Sequence, residues 1–199
     1  MQQQWQSSCN ATTVQAIHGE LDPIYALDVH EKNPNFGTVD DTNAMTQNPR
    51  LATEQRNLLA SPYAGTAMPG LVGTPGVPTA RNTQGAGRFS DDQFNALSGT
   101  TGLTVNTMLS PTAPQAMAAI DKGLEQGAPV PIIIGQNNAN YGHYVLVTGS
   151  TEGPPKAYTI HDPWSGETVQ RTSTQMTNGN LNVAGHSAIS GVEAPTVLP

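Results

Sequence analysis

The chain has 199 residues, a net charge of −7 and one cysteine, and 12% of its residues are charged, against about 25% in a typical soluble protein. Its eight basic residues are scattered, which argues against a nucleic-acid groove lined with cations, and one cysteine excludes an internal disulfide framework or a cysteine-rich metal site. No apolar run approaches the roughly 20 residues that span a bilayer, and the start of the chain lacks a signal-peptide pattern, so we expect a soluble chain without a membrane span.

The N-terminal part of the chain has a helical pattern. A serine just before Cys9 can cap a helix, which would place Cys9 in the first turn. Pro23 stops or breaks this helix. Between them, three apolar residues follow the spacing of a helix with one apolar face: Val14, Ile17 and Leu21.

Residues 31–89 are rich in Asn, Pro, Gly and Thr. We interpret the segment 31–109 as a loop-rich insertion, to which we assign no role, within a single domain that spans residues 1–199. Its patterns predict helices over 51–60 and 90–99, an irregular Gly- and Pro-rich loop over 69–87 and an extended segment over 103–109.

The C-terminal part has sharper signals. Residues Thr112 to Gly127 combine a capping threonine, a first-turn proline, an apolar stripe and a final glycine, which together predict a helix. Five strands are predicted after it, the last of which we expect to close the sheet: 130–134, 141–148, 156–161, 167–172 and 187–192. Helices followed by strands predict an α+β fold with a mostly antiparallel C-terminal sheet.

Cys9 is the first candidate for chemistry. A lone cysteine is most often a small buried apolar residue, but the start of a helix favours the thiolate, which is the reactive form. His18 is the nearest histidine in sequence. At about 100° per residue it would lie on the opposite side of the same helix, so we expect it to have a packing role.

His143 and Asp162 form the second candidate. His143 begins a strand that is apolar on both faces, and such a strand is central in its sheet. Asp162 ends the next strand, and two adjacent antiparallel strands would bring the pair together, so that the carboxylate orients the imidazole. The alternatives are a half-buried structural histidine and an ordinary turn at Asp162-Pro163. Strand alternation places His161 on the other face, so we assign it no catalytic role.

An acyl-transfer nucleophile also needs donors for an oxyanion. Gln3 lies six positions before Cys9, and its amide could act together with the Cys9 main-chain N–H. Three nearby glutamines compete for this role, and a merely solvated Gln-rich start is the alternative: Gln2, Gln4 and Gln6. The five histidines show no metal-ligand spacing, and we expect no metal or other cofactor.

Four motifs in one order resemble the papain-like cysteine peptidases. They are Gln3 six residues before Cys9, the strand entry Gly127-Ala128-Pro129-Val130, the stretch Gly142-His143-Tyr144-Val145-Leu146-Val147-Thr148-Gly149, and Asp162-Pro163-Trp164-Ser165-Gly166. They look closest to the bacterial branch that includes the double-glycine leader peptidases of bacteriocin exporters. The resemblance covers roughly residues 1–25 and 110–170.

The resemblance implies a papain-like α+β fold with the catalytic cysteine at a helix start. It implies that Cys9 is the nucleophile, His143 the general base and acid, Asp162 the residue that orients the histidine, and Gln3 the oxyanion donor. Asn10 stands where the family usually has glycine, so we expect its side chain to line or crowd the cleft.

The function that follows is hydrolysis of peptide bonds in a protein substrate. A glutamine deamidase or transglutaminase-like toxin on the same fold, and a non-enzymatic papain-like binding module, stay open. The nucleophile lies nine residues from the start with no pro-segment, and the chain has three lysines. These features suggest a bacterial effector or polymorphic-toxin domain, delivered as part of a larger protein and neutralised by an immunity protein. An ordinary processing peptidase is the alternative.

Overall fold

The structure is a computed structural model that describes residues 1–2, 9–31, 50–51, 54–55, 58, 103–135 and 142–196. Its helices within these ranges include α1 (Cys9–Leu21), α2 (Pro23–Glu31), α3 (Ala113–Glu125) and α4 (Ser173–Thr177). The described residues form six strands: β1 (Thr104–Leu109), β2 (Val130–Gly135), β3 (Gly142–Ser150), β4 (Ala157–His161), β5 (Thr168–Thr172) and β6 (Ala188–Thr196). No helix in the described ranges is long and apolar enough to cross a membrane.

The strands form one antiparallel sheet in the order β1-β6-β2-β3-β4-β5. The predicted α+β class and antiparallel sheet are therefore confirmed. β3 lies inside the sheet between β2 and β4, as its two apolar faces predict. β6 also lies inside, between β1 and β2, whereas we expected the last strand to close the sheet. Its position agrees with the full burial of Val192 and Glu193.

Two hydrophobic cores cover the two faces of the sheet. β3 contributes to both by strand alternation: Leu146 packs with α1 residues such as Val14 and Ile17, while Val145 packs with Ile120 of α3. β2 is buried along its whole length. Because both faces of β2 and β3 are covered, a side chain at the start of β3 sits on a rigid support.

Helix α3 follows its sequence signals closely. The Thr112 main-chain N–H donates to Oε1 of Gln115 at 2.9 Å, which is half of a capping box. Pro114 lies in the first turn. Gly127 has a φ of +74° just after the helix, a conformation that favours glycine.

The N-terminal helices break at Pro23, as predicted. Asp22 caps α2, because its Oδ1 accepts from the main-chain N–H groups of Ile24 and Tyr25. His18 lies 3.6 Å from Asp22 and stacks on Tyr25 with ring centroids 3.9 Å apart. The predicted packing role of His18 is therefore confirmed.

The segment 31–109 is described only in part. Residues 50, 51, 54, 55 and 58 are helical, in agreement with the helix predicted over 51–60, and Leu51 and Gln55 are buried. The extended segment predicted over 103–109 is β1, which pairs with β6 along its whole length. The end of the segment assigned to an insertion thus belongs to the main sheet. The predictions over 69–87 and 90–99 lie outside the described residues.

Candidate active site

Cys9 is the first residue of α1 and is half-buried. The sequence placed it in the first turn of a helix, and the structure confirms this. α1 packs against β3, whose second residue is His143. The docking of one helix on one central strand therefore brings together residues 134 positions apart in the chain.

His143 and Asp162 are in direct contact. Nε2 of His143 lies 2.6 Å from Oδ1 of Asp162, and the residues are 7% and 5% exposed. β3 and β4 are antiparallel neighbours, and Asp162 follows β4 directly. The predicted pairing of these two side chains is thus what the structure shows.

The Cys9 thiol forms a hydrogen bond with the His143 side chain. Since Nε2 of His143 faces Asp162, Nδ1 is the ring nitrogen left for the sulfur. Main-chain groups of Tyr144 and Asn10 also bond to the sulfur. Cys9, His143 and Asp162 thus form one continuous hydrogen-bonded chain.

Burial and pairing act in opposite directions on the pKa values of this chain. Burial raises the pKa of Cys9, but the hydrogen bond and charge of His143, with the two main-chain groups, outweigh it and lower that pKa. Burial lowers the pKa of His143, but Asp162 and Cys9 together raise it to about 9. Burial likewise raises the pKa of Asp162, and His143, Trp164 and Ser165 lower it. At neutral pH these directions favour a thiolate beside an imidazolium.

The upper pH limit of this ion pair depends on Asp162. Its carboxylate raises the pKa of His143, so the imidazolium persists until about pH 9. We expect Asp162→Asn to lower that pKa, since an amide supplies no negative charge. The imidazole would then lose its proton at a lower pH. Titration of the His143 ring protons by NMR measures this directly, and an unchanged midpoint would contradict the role of Asp162.

A tight turn after β4 holds the Asp162 carboxylate. The main-chain N–H of Trp164 donates to Oδ1 at 2.9 Å, and Oγ of Ser165 donates to Oδ2 at 3.0 Å. The main-chain N–H of Gly166 donates to the Asp162 carbonyl at 2.8 Å. Ser165 was not singled out from the sequence. The spacing Asp162-Pro163-Trp164-Ser165, in which an aspartate can cap its own turn, is the signal that could have found it.

The start of the chain supports the same turn from outside. The Gln2 side chain is buried, and its Nε2 donates to the Trp164 carbonyl at 3.3 Å. The Gln2 carbonyl accepts from Nε2 of Gln55 at 3.1 Å. The Gln2 amide is therefore occupied by the turn rather than by an oxyanion site. Gln3, Gln4 and Gln6 lie outside the described residues, so the role of Gln3 stays a prediction.

His161 lies on the other face of β4 from Asp162, as alternation predicts. Its Nε2 contacts the Met1 carbonyl. Burial, followed by the positive N-terminal amine, lowers the pKa of His161 to about 4. His161 is therefore uncharged at neutral pH and helps to hold the first two residues against the sheet.

Gly166 is the point where the turn meets Gln2. It has a φ of +74°, and a Cβ there would lie 3.1 Å from Cβ of Gln2. We expect Gly166→Ala to lower the free energy of unfolding by about 1–3 kcal/mol, because backbone strain and crowding act together.

Gly127→Ala is the matched control, because Gly127 has the same φ of +74° and open space where the Cβ would go. Chemical denaturation of both variants separates the two effects. Equal losses of stability would show that the Gln2 contact contributes nothing.

Two polar groups near the site were missed by sequence reasoning. Glu193 of β6 is fully buried and accepts hydrogen bonds from the hydroxyls of Tyr144, at 3.0 Å, and Thr107, at 2.5 Å. It thereby ties β3, next to His143, to β6 and β1.

His186 lies beside His143, with ring centroids 6.3 Å apart. No local sequence pattern marks either residue, because strands distant in sequence bring them there.

Asn10, which we expected to line or crowd the cleft, lies in the first turn of α1. It is 1% exposed, and its Oδ1 accepts from the main-chain N–H of Ala11 at 2.8 Å. Its side chain thus bonds within the start of α1.

Across the described ranges, no group of three or more His, Cys, Asp or Glu side chains has the arrangement of a metal site.

The sequence matches no model of a known protein family, and a search of curated proteins found no significant relative.

Proposed function

We propose that this protein is a thiol hydrolase of the papain-like kind that cleaves peptide bonds in a protein substrate. The observation that carries the proposal is the hydrogen-bonded chain Cys9–His143–Asp162, in which the pKa of the thiol is lowered and that of the imidazole is raised. A helix start, a central strand and the end of the next strand supply the three groups. This arrangement supports the likeness to papain-like peptidases.

The first half of the reaction uses the thiolate and the imidazolium. The Cys9 sulfur attacks the carbonyl carbon, so that a C–S bond forms and an electron pair moves to the carbonyl oxygen. The Cys9 main-chain N–H, which lies at the start of a helix where the first N–H groups have no intrahelical acceptor, and the proposed Gln3 amide hold this oxyanion. The C–N bond then breaks, and His143 gives its Nδ1 proton to the leaving amine.

The second half releases the acyl group. Water attacks the thioester carbon while His143 takes one of its protons. The C–S bond breaks, which frees a carboxylic acid and restores the thiolate. Throughout both halves Asp162 keeps the ring oriented and balances its positive charge.

Mass spectrometry of a treated protein mixture tests the reaction. New peptide ends made by the wild type and absent with Cys9→Ala support a peptidase. A gain of about 1 Da at glutamine without a cut would instead indicate a deamidase. A failure of a cysteine-directed epoxide to label Cys9 in folded protein would favour a binding module.

We also propose that the chain acts as a bacterial effector or toxin domain with a cognate immunity protein. Its three lysines suit a protein that works inside a foreign cell. Expression of the wild type should be toxic, expression of Cys9→Ala harmless, and a neighbouring reading frame should suppress the toxicity. Harmless expression of an active domain would contradict this setting.

A further inference from the structure

His186 is a second imidazole beside the Cys9–His143–Asp162 chain. Its ring centroid lies 6.3 Å from that of His143, and the two ring planes differ by 22°. The ring of His186 is thus nearly parallel to the ring of His143, which is the proposed general base and acid. None of the roles described above uses His186.

The main chain around His186 is rigidly held. The N–H of His186 donates to the Val183 carbonyl at 2.8 Å, and the N–H of Val183 donates back at 3.1 Å. The two residues between them, Ala184 and Gly185, have φ values of +47° and +76°, which is the geometry of a tight two-residue turn. Val183 is anchored in the core, so the turn presents His186 to His143 in one position.

The charge of His186 is controlled by its neighbours. Burial lowers its pKa, and the positive charge of His143 lowers it further, while Asp162 acts in the opposite direction. His143 and Asp162 are the charged groups that act on it. Its buried Nδ1 has no hydrogen-bond partner among the described residues. An uncharged ring without a competing partner can pack against an imidazolium without repelling it.

We propose that His186 is a positioning residue of the candidate active site: its uncharged ring packs against His143 and keeps that imidazole directed at both Cys9 and Asp162. The inference rests on the proposed thiol chemistry. His186 acts through His143 and needs no contact with substrate. A small rotation of the His143 ring would break its bond to the sulfur, and misplacement of about 1 Å can cost roughly 100-fold in rate.

The test follows the Cys9 thiolate as a function of pH, by its ultraviolet absorbance and by its rate of alkylation with iodoacetamide. Neither measurement needs a known substrate. We expect His186→Ala to slow alkylation at pH 7 by roughly 10- to 100-fold and to move the thiolate midpoint to higher pH. His186→Phe keeps a flat ring without a charge and should restore most of both properties.

His18→Ala is the matched control, because it removes a histidine that packs on Tyr25 instead, and it should leave the midpoint unchanged. An unchanged midpoint in His186→Ala, or an equal shift in His186→Ala and His186→Phe, would overturn the positioning role. If the wild type forms no thiolate near neutral pH, the proposed function fails with it. If the wild type does form a thiolate near neutral pH, a failed test contradicts only the role of His186 and leaves the proposed function standing.

Discussion

Replacing Cys9 with alanine is expected to reduce peptide cleavage at least about 10⁴-fold, down to the background of the assay. Loss of a nucleophile removes the covalent intermediate altogether, and removal of one member of such a triad costs rates of this order. Cleavage of a protein mixture, with each product quantified by mass spectrometry, measures the loss. Because Cys9 is the one cysteine of the chain, labelling by a thiol reagent should fall from one group per molecule to zero.

Cys9→Ser is the control that separates the loss of the thiol from the loss of side-chain packing and hydrogen bonding at this position. It keeps a side chain of nearly the same size and a hydrogen bond to His143, but a hydroxyl is far harder to ionise than a thiol. We expect this variant to fold and to be as inactive as Cys9→Ala. Cleavage by either variant at the rate of the wild type would exclude Cys9 as the nucleophile.

Replacing His143 with glutamine is expected to have a comparable effect for a different reason. The pKa of Cys9 is lowered mainly by the hydrogen bond and charge of His143, against the opposing effect of burial. Without the imidazolium, burial is opposed only by the main-chain bonds, so the pKa of the thiol should rise and the thiolate should vanish at neutral pH. Glutamine also cannot give a proton to the leaving amine, so cleavage should fall about 10⁴-fold.

The rate of alkylation of Cys9 across pH measures this change without a substrate. Wild type should react well below pH 8, where an ordinary thiol, with a pKa of about 8.5, is mostly protonated. His143→Gln should react appreciably only at higher pH. His18→Gln serves as the control, because its ring stacks on Tyr25. Equal profiles for wild type and His143→Gln would contradict the ion pair.

Much of the sheet could be predicted from the sequence, and so could the core of the site. Apolar runs, alternation and turn residues mark β2 to β5 between them, and the order of His143 and Asp162 along the chain, at the start of one strand and the end of the next, is enough to make them neighbours. Cys9 could be found from the capping pattern in front of it. Each of these features depends on residues that are close in sequence or that lie on two strands that follow each other in the chain and pair.

The parts that could not be predicted depend on contacts between distant segments. The pattern of β6 predicts a strand but carries no information on its place between β1 and β2. Gln2 contacts Trp164 across 162 positions, and His186 reaches His143 from a turn that has no catalytic signature. Glu193 looks like a surface carboxylate until Tyr144 and Thr107 are known to bond to it.

The interior place of β6 has a consequence for the newly made chain. β6 is the last of the described strands to be synthesised. Within the described sheet, β1 pairs with β6 alone, so β1 has no partner until β6 is made. At about 5 to 20 residues per second, roughly 10 to 40 seconds separate the synthesis of Cys9 from that of β6. Through that interval the sheet that supports His143 stays incomplete. Until β6 has been made, a nascent chain therefore holds Cys9 but lacks the complete sheet that supports His143, the partner on which the proposed chemistry of Cys9 depends.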